Sequence, residues 1–116
     1  MIPIMAMIQI FGLKNCRDTQ KAERFFKERR VQYQFINLAE KGMSKGELQS
    51  VKNACGLEAL INREGKEYKK ANLEYMDFDI EEALLENPLL FTTPVVRKGN
   101  KAVPGLAPDV WKTFIE

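Results

Sequence analysis

The 116-residue chain contains no histidine. That removes imidazole as a general base, and with it Ser/His/Asp and Cys/His arrangements and most zinc sites. Its two cysteines, Cys16 and Cys55, are too few for a disulfide framework. They suit a reducing compartment, where a thiol can act as a reagent. No uninterrupted apolar run approaches the ~20 residues of a membrane helix. The opening MIPIMAMIQI is broken by Pro3 and lacks the basic flank of a signal peptide. Neither sign of charge dominates: 18 basic side chains face 16 acidic ones, for a net +2. A field that weak gives no reason to expect a nucleic-acid partner, and Lys41, Lys45, Lys69 and Lys70 are scattered rather than striped. The Met76–Ile80 stretch is no calcium loop, and no metal site is visible. The expectation is a soluble, cytoplasmic protein with no membrane or nucleic-acid partner and no bound cofactor. Its chemistry is confined to thiols, carboxylates, cations, hydroxyls and backbone.

What is present is an ordinary globular balance, 45% hydrophobic and 29% charged, in a length that suits one domain. That domain is expected over residues 7–116, with Met7 an alternative start and Met1–Ala6 a disordered leader. Met7–Phe11 is a short apolar run closed by Gly12 and reads as a buried strand. Arg17 to Arg30 has helical spacing, with Ala22, Phe25, Phe26 and Arg29 on one face. Tyr33–Asn37 alternates as a second strand, and strand–helix–strand order implies a right-handed crossover to a parallel neighbour. Ser44 and Glu47 fit a capping box. Leu48, Val51 and Cys55 then share a helical face that Gly56 ends. Leu57–Ile61 is a further apolar turn or two, and Asn62–Tyr68 reads as a charged loop. Asp79–Glu86 is a helix stopped by Asn87-Pro88. Thr92–Lys98 and Lys101–Val103 form a hairpin about Gly99-Asn100. Pro104-Gly105 breaks it, and Pro108 opens a last helix carrying Val110, Trp111, Phe114 and Ile115. The expected order is β-α-β, a helical insertion over about 42–90, then β-β-α.

Cys16 is the outstanding position. It follows a strand and a loop and stands where a helix begins. The first amides of a helix lack internal partners and carry positive partial charge, which favours a thiolate and can cradle an oxyanion. Lys14, Arg17 and Lys21 act in the same direction, and Asp18 against it. The competing reading, a buried inert cysteine, fits a polar strand-to-helix loop poorly. It fits Cys55 well, on an apolar helical face. The aromatic residues fall on element periodicities and read as core.

The run from Ile8 to Ala22, I-Q-I-F-G-L-K-N-C-R-D-T-Q-K-A, resembles the opening of the ArsC/Spx/YffB family of arsenate-reductase-like proteins. Leu60-Ile-Asn-Arg-Glu-Gly-Lys-Glu-Tyr68, Leu84-Leu-Glu-Asn-Pro-Leu89, Thr93-Pro-Val-Val96 and Gly105-Leu-Ala-Pro108 match in order, so the likeness spans residues 7 to 116. It implies an α/β fold, thioredoxin-like (glutaredoxin-like), with a mixed four-stranded sheet and a helical insertion. It also implies a cis Thr93–Pro94 peptide beside the thiol. The departures are chemical. Spx-like redox sensors carry Cys-x-x-Cys, but here the run is Cys16-Arg-Asp-Thr19. A single thiol cannot resolve its own mixed disulfide locally. Arsenate reductases gather arginines around the thiol. Here Arg63 sits one position off the usual register, which Glu64 occupies, and Thr93 and Ala107 stand where cations are usual. Arg97 and Lys98 are further cations whose facing depends on strand alternation.

Two function classes follow. The first is a cytosolic, glutathione-linked thiol oxidoreductase that reduces arsenate poorly. Its nucleophile is Cys16, its substrate-binding groups are Lys14, Asn15, Arg17, Thr19, Arg63, Thr93 and Pro94, and its partner is glutathione or glutaredoxin. The second is an Spx-like regulator that, without turnover, binds RNA polymerase through the C-terminal domain of the polymerase α chain. A pull-down with that domain separates them, and a clean negative removes the second.

Overall fold

The computed structural model describes residues 7–115; the expected leader, Met1–Ala6, lies outside the described residues. Four strands, β1 (Ile8–Gly12), β2 (Tyr33–Asn37), β3 (Val95–Lys98) and β4 (Lys101–Pro104), form one sheet in the order β2-β1-β3-β4. β1 runs parallel to β2 and antiparallel to β3, and β3 and β4 pair as a hairpin. This is the mixed sheet expected from the order of elements.

Strand alternation divides the core in two. Ile8, Ile10 and Val96 face one side, where they bury Ala22 and Phe26 of α1 (Arg17–Glu28) and Trp111 and Phe114 of α6 (Pro108–Phe114). Phe11 and Val95 face the other, into a cluster built by the segment between β2 and β3. That segment holds α2 (Lys45–Cys55), α3 (Leu57–Leu60), α4 (Lys66–Lys70) and α5 (Ile80–Glu86), with single 3₁₀ turns at Leu73–Tyr75 and Pro88–Leu90. Leu48 and Val51 of α2, Leu60, Tyr68, Leu84, Leu90 and Phe91 are among its buried side chains. Local chemistry sets the helix ends. The Ser44–Glu47 capping box is formed in both directions, and Asp79 caps α5 through the amides of Glu81 and Glu82. Gly56, at φ 83°, lets the chain leave α2 and enter α3 at once.

Several boundaries differ from expectation. α1 stops at Glu28, and Arg30 turns through φ 57°. Arg29 leaves the apolar face and lies over the Phe25 ring at 3.7 Å. Val110 is 38% exposed although its helical neighbours Trp111 and Phe114 are buried. The charged Asn62–Tyr68 segment is not all loop: Lys66–Lys70 is helical, with Glu67 in the first turn and two lysines in the last, matching the helix dipole.

One close approach fixes where α1 meets the sheet. Thr19 is 1% exposed and packs on Gly12 so tightly that a Cβ there would fall 2.5 Å from its Oγ1. Gly12→Ala is therefore expected to destabilise the protein by about 1–3 kcal/mol, the scale of overpacking. Adding Thr19→Ala should recover part of that loss in a urea-unfolding double-mutant cycle. Independent, additive effects would contradict the contact.

Candidate functional site

Cys16 is the N-cap of α1, with extended backbone (φ −87°, ψ 121°). Its amide donates to the Leu13 carbonyl at 3.0 Å, tightening the loop after β1, and its carbonyl accepts the first helical bond, from Gln20 at 3.0 Å. Gln20 also reaches back through Nε2 to the Lys14 carbonyl at 2.7 Å. The thiol is partly exposed.

A segment far along the chain meets it. The register pairs Phe11 with Val95, so the loop leaving β1 and the residues entering β3 lie at the same end of the sheet. The Thr93–Pro94 peptide is cis, as the resemblance implied. The Thr93 hydroxyl donates to Cys16 Sγ at 3.1 Å, and the Thr93 carbonyl lies 3.8 Å from the same sulfur. Burial pushes this thiol up. The opposing pull of the Thr19 and Thr93 hydroxyls and of the Thr19 and Asp18 amides is greater, and holds it below the ordinary value. The amides are those of the opening turn of α1, as the helix-start argument required. Lys14, Arg17 and Lys21 are all exposed and are not among the causes of the lowering. Hydrogen bonds, rather than the nearby cations expected from sequence, set the direction.

Cys55 is different in kind. Its sulfur bonds the Val51 carbonyl at 3.2 Å within α2, it packs against the insertion core, and burial pushes its thiol up. Both cysteines are free thiols.

Beside the thiol runs a cleft of about 450 Å³. Asn15, next to Cys16 in the chain, and Thr93, which bonds its sulfur, line it together with Asn62, Lys66, Glu67 and Tyr68. Of the site residues named from sequence, Thr19 and Thr93 meet the Cys16 sulfur, Pro94 follows Thr93, and Asn15 and Thr93 line the cleft, while Lys14 and Arg17 stand exposed around the start of α1. Arg63 is turned elsewhere. It makes a two-point ion pair with Glu58, at 3.2 Å and 2.9 Å, donates to the Tyr68 hydroxyl at 2.8 Å, and lies over the Tyr68 and Phe78 rings. Arg97 and Lys98 sit at the opposite end of the sheet, bonded to Gln9 Oε1 and to the Phe114 carbonyl. Lys66 and Asn62 were missed by sequence reasoning. The available signal was Gly65 followed by an acidic-then-basic helical turn around Tyr68. Among the described residues, no group of three or more possible metal ligands comes together.

A family model matches residues 11–114, described as the ArsC family. The chain belongs to the ArsC family. Solved structures share the fold. A YFFB protein is 24% identical and superposes with a TM-score of 0.83, over 95% of this chain and 100% of that one. An arsenate reductase from Vibrio cholerae is 19% identical with a TM-score of 0.78, over 94% and 98%. A glutaredoxin from Archaeoglobus fulgidus is 23% identical with a TM-score of 0.51, over 97% and 88%. This ArsC-family chain therefore has the thioredoxin-like α/β fold, with residues of the helical insertion lining the cleft. Among the described residues, no helix is long and apolar enough to cross a membrane.

The two thiols should separate in labelling. At near-neutral pH iodoacetamide is expected to modify Cys16 well before Cys55 in the native protein, and Thr93→Val should slow the Cys16 reaction several-fold. The sign also carries to stability. A thiol held below its unfolded value contributes stability that is complete above the ordinary value of 9.0 and is lost as pH falls through the lower folded value. In a Cys55→Ser background, which removes the opposite contribution of the raised thiol, stability should rise with pH across that window. The rise should vanish in Cys16→Ser.

Proposed function

We propose that the protein is a thiol-dependent oxidoreductase in which Cys16 is the nucleophile and glutathione, directly or through a glutaredoxin, is the reductant. The observation that carries this reading is the sulfur at the start of α1, hydrogen-bonded by Thr93 and lowered in pKa. A thiolate is the attacking species in disulfide exchange, so a lowered pKa raises the reactive fraction at neutral pH.

In the first step the Cys16 thiolate attacks a sulfur of an oxidised substrate. The substrate S–S bond breaks, a Cys16 mixed disulfide forms, and the departing thiolate takes a proton from solvent. In the second step a glutathione thiolate attacks that mixed disulfide and Cys16 leaves as thiolate. With Thr19 at the fourth place of Cys16-Arg-Asp-Thr19, no sulfur stands in the same turn to do this internally. Thr93 and the amides of the first turn hold the negative charge on sulfur between attacks. Asn15 and the Thr93–Pro94 segment contact the substrate from both sides of the thiol. The cytoplasm, with its reduced glutathione, is the compartment in which this cycle runs.

Disulfides fit the site better than arsenate. A tetrahedral dianion calls for several charge-assisted donors. Arg63 is committed to Glu58, Arg97 stands at the far end of the sheet, and Ala107 and Thr93 offer no charge. Lys66 is the cation that lines the cleft.

Turnover of a glutathionylated disulfide, coupled to glutathione reductase, tests the scheme. Cys16→Ser should lower kcat/KM by on the order of 10³ or more, as expected for loss of a covalent nucleophile. Cys55→Ser should retain most of the activity. Equal loss in both variants would contradict a monothiol cycle.

A further inference from the structure

The sheet face that carries the insertion is apolar at the thiol end, where Phe11 is registered with Ile36 on one side and Val95 on the other. Two residues along each strand, the next row on that face is polar. Gln9 of β1 is registered there with Gln34 of β2 and with Arg97 of β3. A guanidinium can only donate, so Arg97 fixes the direction of the whole row. Its Nη1 donates to Gln9 Oε1 at 2.7 Å, and Gln9 Nε2 then donates to Gln34 Oε1 at 3.1 Å. Each amide oxygen already accepts a bond within the row, and the groups left over are donors.

The row also carries a positive charge with no counter-charge. Among the described residues the ion pairs are Lys52–Glu81 and Arg63–Glu58, and the Nε–H of Arg97 is buried with no acceptor. Gln9, Gln34 and Arg97 line a cavity of about 660 Å³ together with Ser50 of α2, Met7, and Gly99 and Asn100 of the β3–β4 turn. No acidic side chain is among these lining residues. The volume lies in the range of small-molecule sites.

We propose that this cavity, at the end of the sheet away from Cys16, binds the carboxylate of a small organic acid on Arg97, with the Gln34 amide and the Ser50 hydroxyl as neutral donors. Three features favour that ligand. Surplus donors beside an unpaired guanidinium call for an acceptor that carries negative charge. The planar guanidinium fork matches a planar carboxylate. One cation among neutral groups balances one negative charge and leaves a phosphate dianion half compensated. The site is independent of the thiol chemistry, since none of its residues touches Cys16.

The test follows the side-chain signals of Arg97 Nε–H, Gln9 and Gln34 by nitrogen–proton correlation NMR on the full chain. Acetate, its uncharged counterpart acetamide, and inorganic phosphate are titrated at constant ionic strength. Acetate should shift these signals saturably in the millimolar range, and acetamide should leave them in place. Gln9→Glu sets a carboxylate of the same shape beside Arg97 and supplies the counter-charge from within. It should weaken acetate binding about tenfold, the scale of one charge-assisted hydrogen bond, and leave the rate of Cys16 alkylation unchanged. Arg97→Lys, which keeps the charge but loses the fork, should weaken acetate binding as well. Shifts that do not saturate, wild-type acetate affinity in Gln9→Glu, or tighter binding of phosphate than of acetate would each overturn the carboxylate site.

Discussion

The hydroxyl of Thr93 meets the sulfur of Cys16 across 77 residues of chain, at 3.1 Å. The candidate chemistry depends on that contact together with the Thr19 hydroxyl and the amides of the first turn of α1. None of these groups acts alone. Partial burial raises the cost of ionising the sulfur, and only the combined donors reverse it. The sheet supplies the meeting point. Antiparallel pairing of β1 with β3 places the exit of one strand beside the entry of the other. Gly12 and Thr19 then set how closely α1 approaches the strand end, because any side chain at Gly12 would displace Thr19.

The two faces of the sheet serve this end in different ways. One packs α1 and α6 against Ile8, Ile10 and Val96 and fixes the direction of the helix that begins at the thiol. The other carries the insertion, whose buried Tyr68 and Leu90 anchor the segments forming the cleft wall. The same insertion disposes of Arg63. Its pairing with Glu58 and its stacking on Tyr68 make it part of the scaffold, leaving Lys66 as the cation of the cleft.

Much of this was legible in the residues. Strand periodicity, the Ser44–Glu47 box, the stop at Gly56 and the turn at Gly99-Asn100 are local signals, and the structure realises each of them. The position of Cys16 at a helix start was legible for the same reason. The donor set was only half so. Thr19 lies three residues from the sulfur, but the Thr93 contact depends on tertiary pairing, which the resemblance supplied and periodicity did not. The pairing of Arg63 with Glu58, five residues back across a turn, is not readable from spacing, and Lys66 lies on a five-residue helix too short for its period to stand out. The expected influence of Lys14, Arg17 and Lys21 failed because water screens exposed cations more than it screens short hydrogen bonds.

The central claim is that folding holds the pKa of one sulfur below that of an ordinary thiol. Ultraviolet thiolate absorbance of the Cys55→Ser protein, followed as pH is raised, reads that state directly. The account predicts a step centred below that of an ordinary free thiol, returning to the ordinary position when the chain is unfolded in urea. A native step at or above the unfolded one would contradict it.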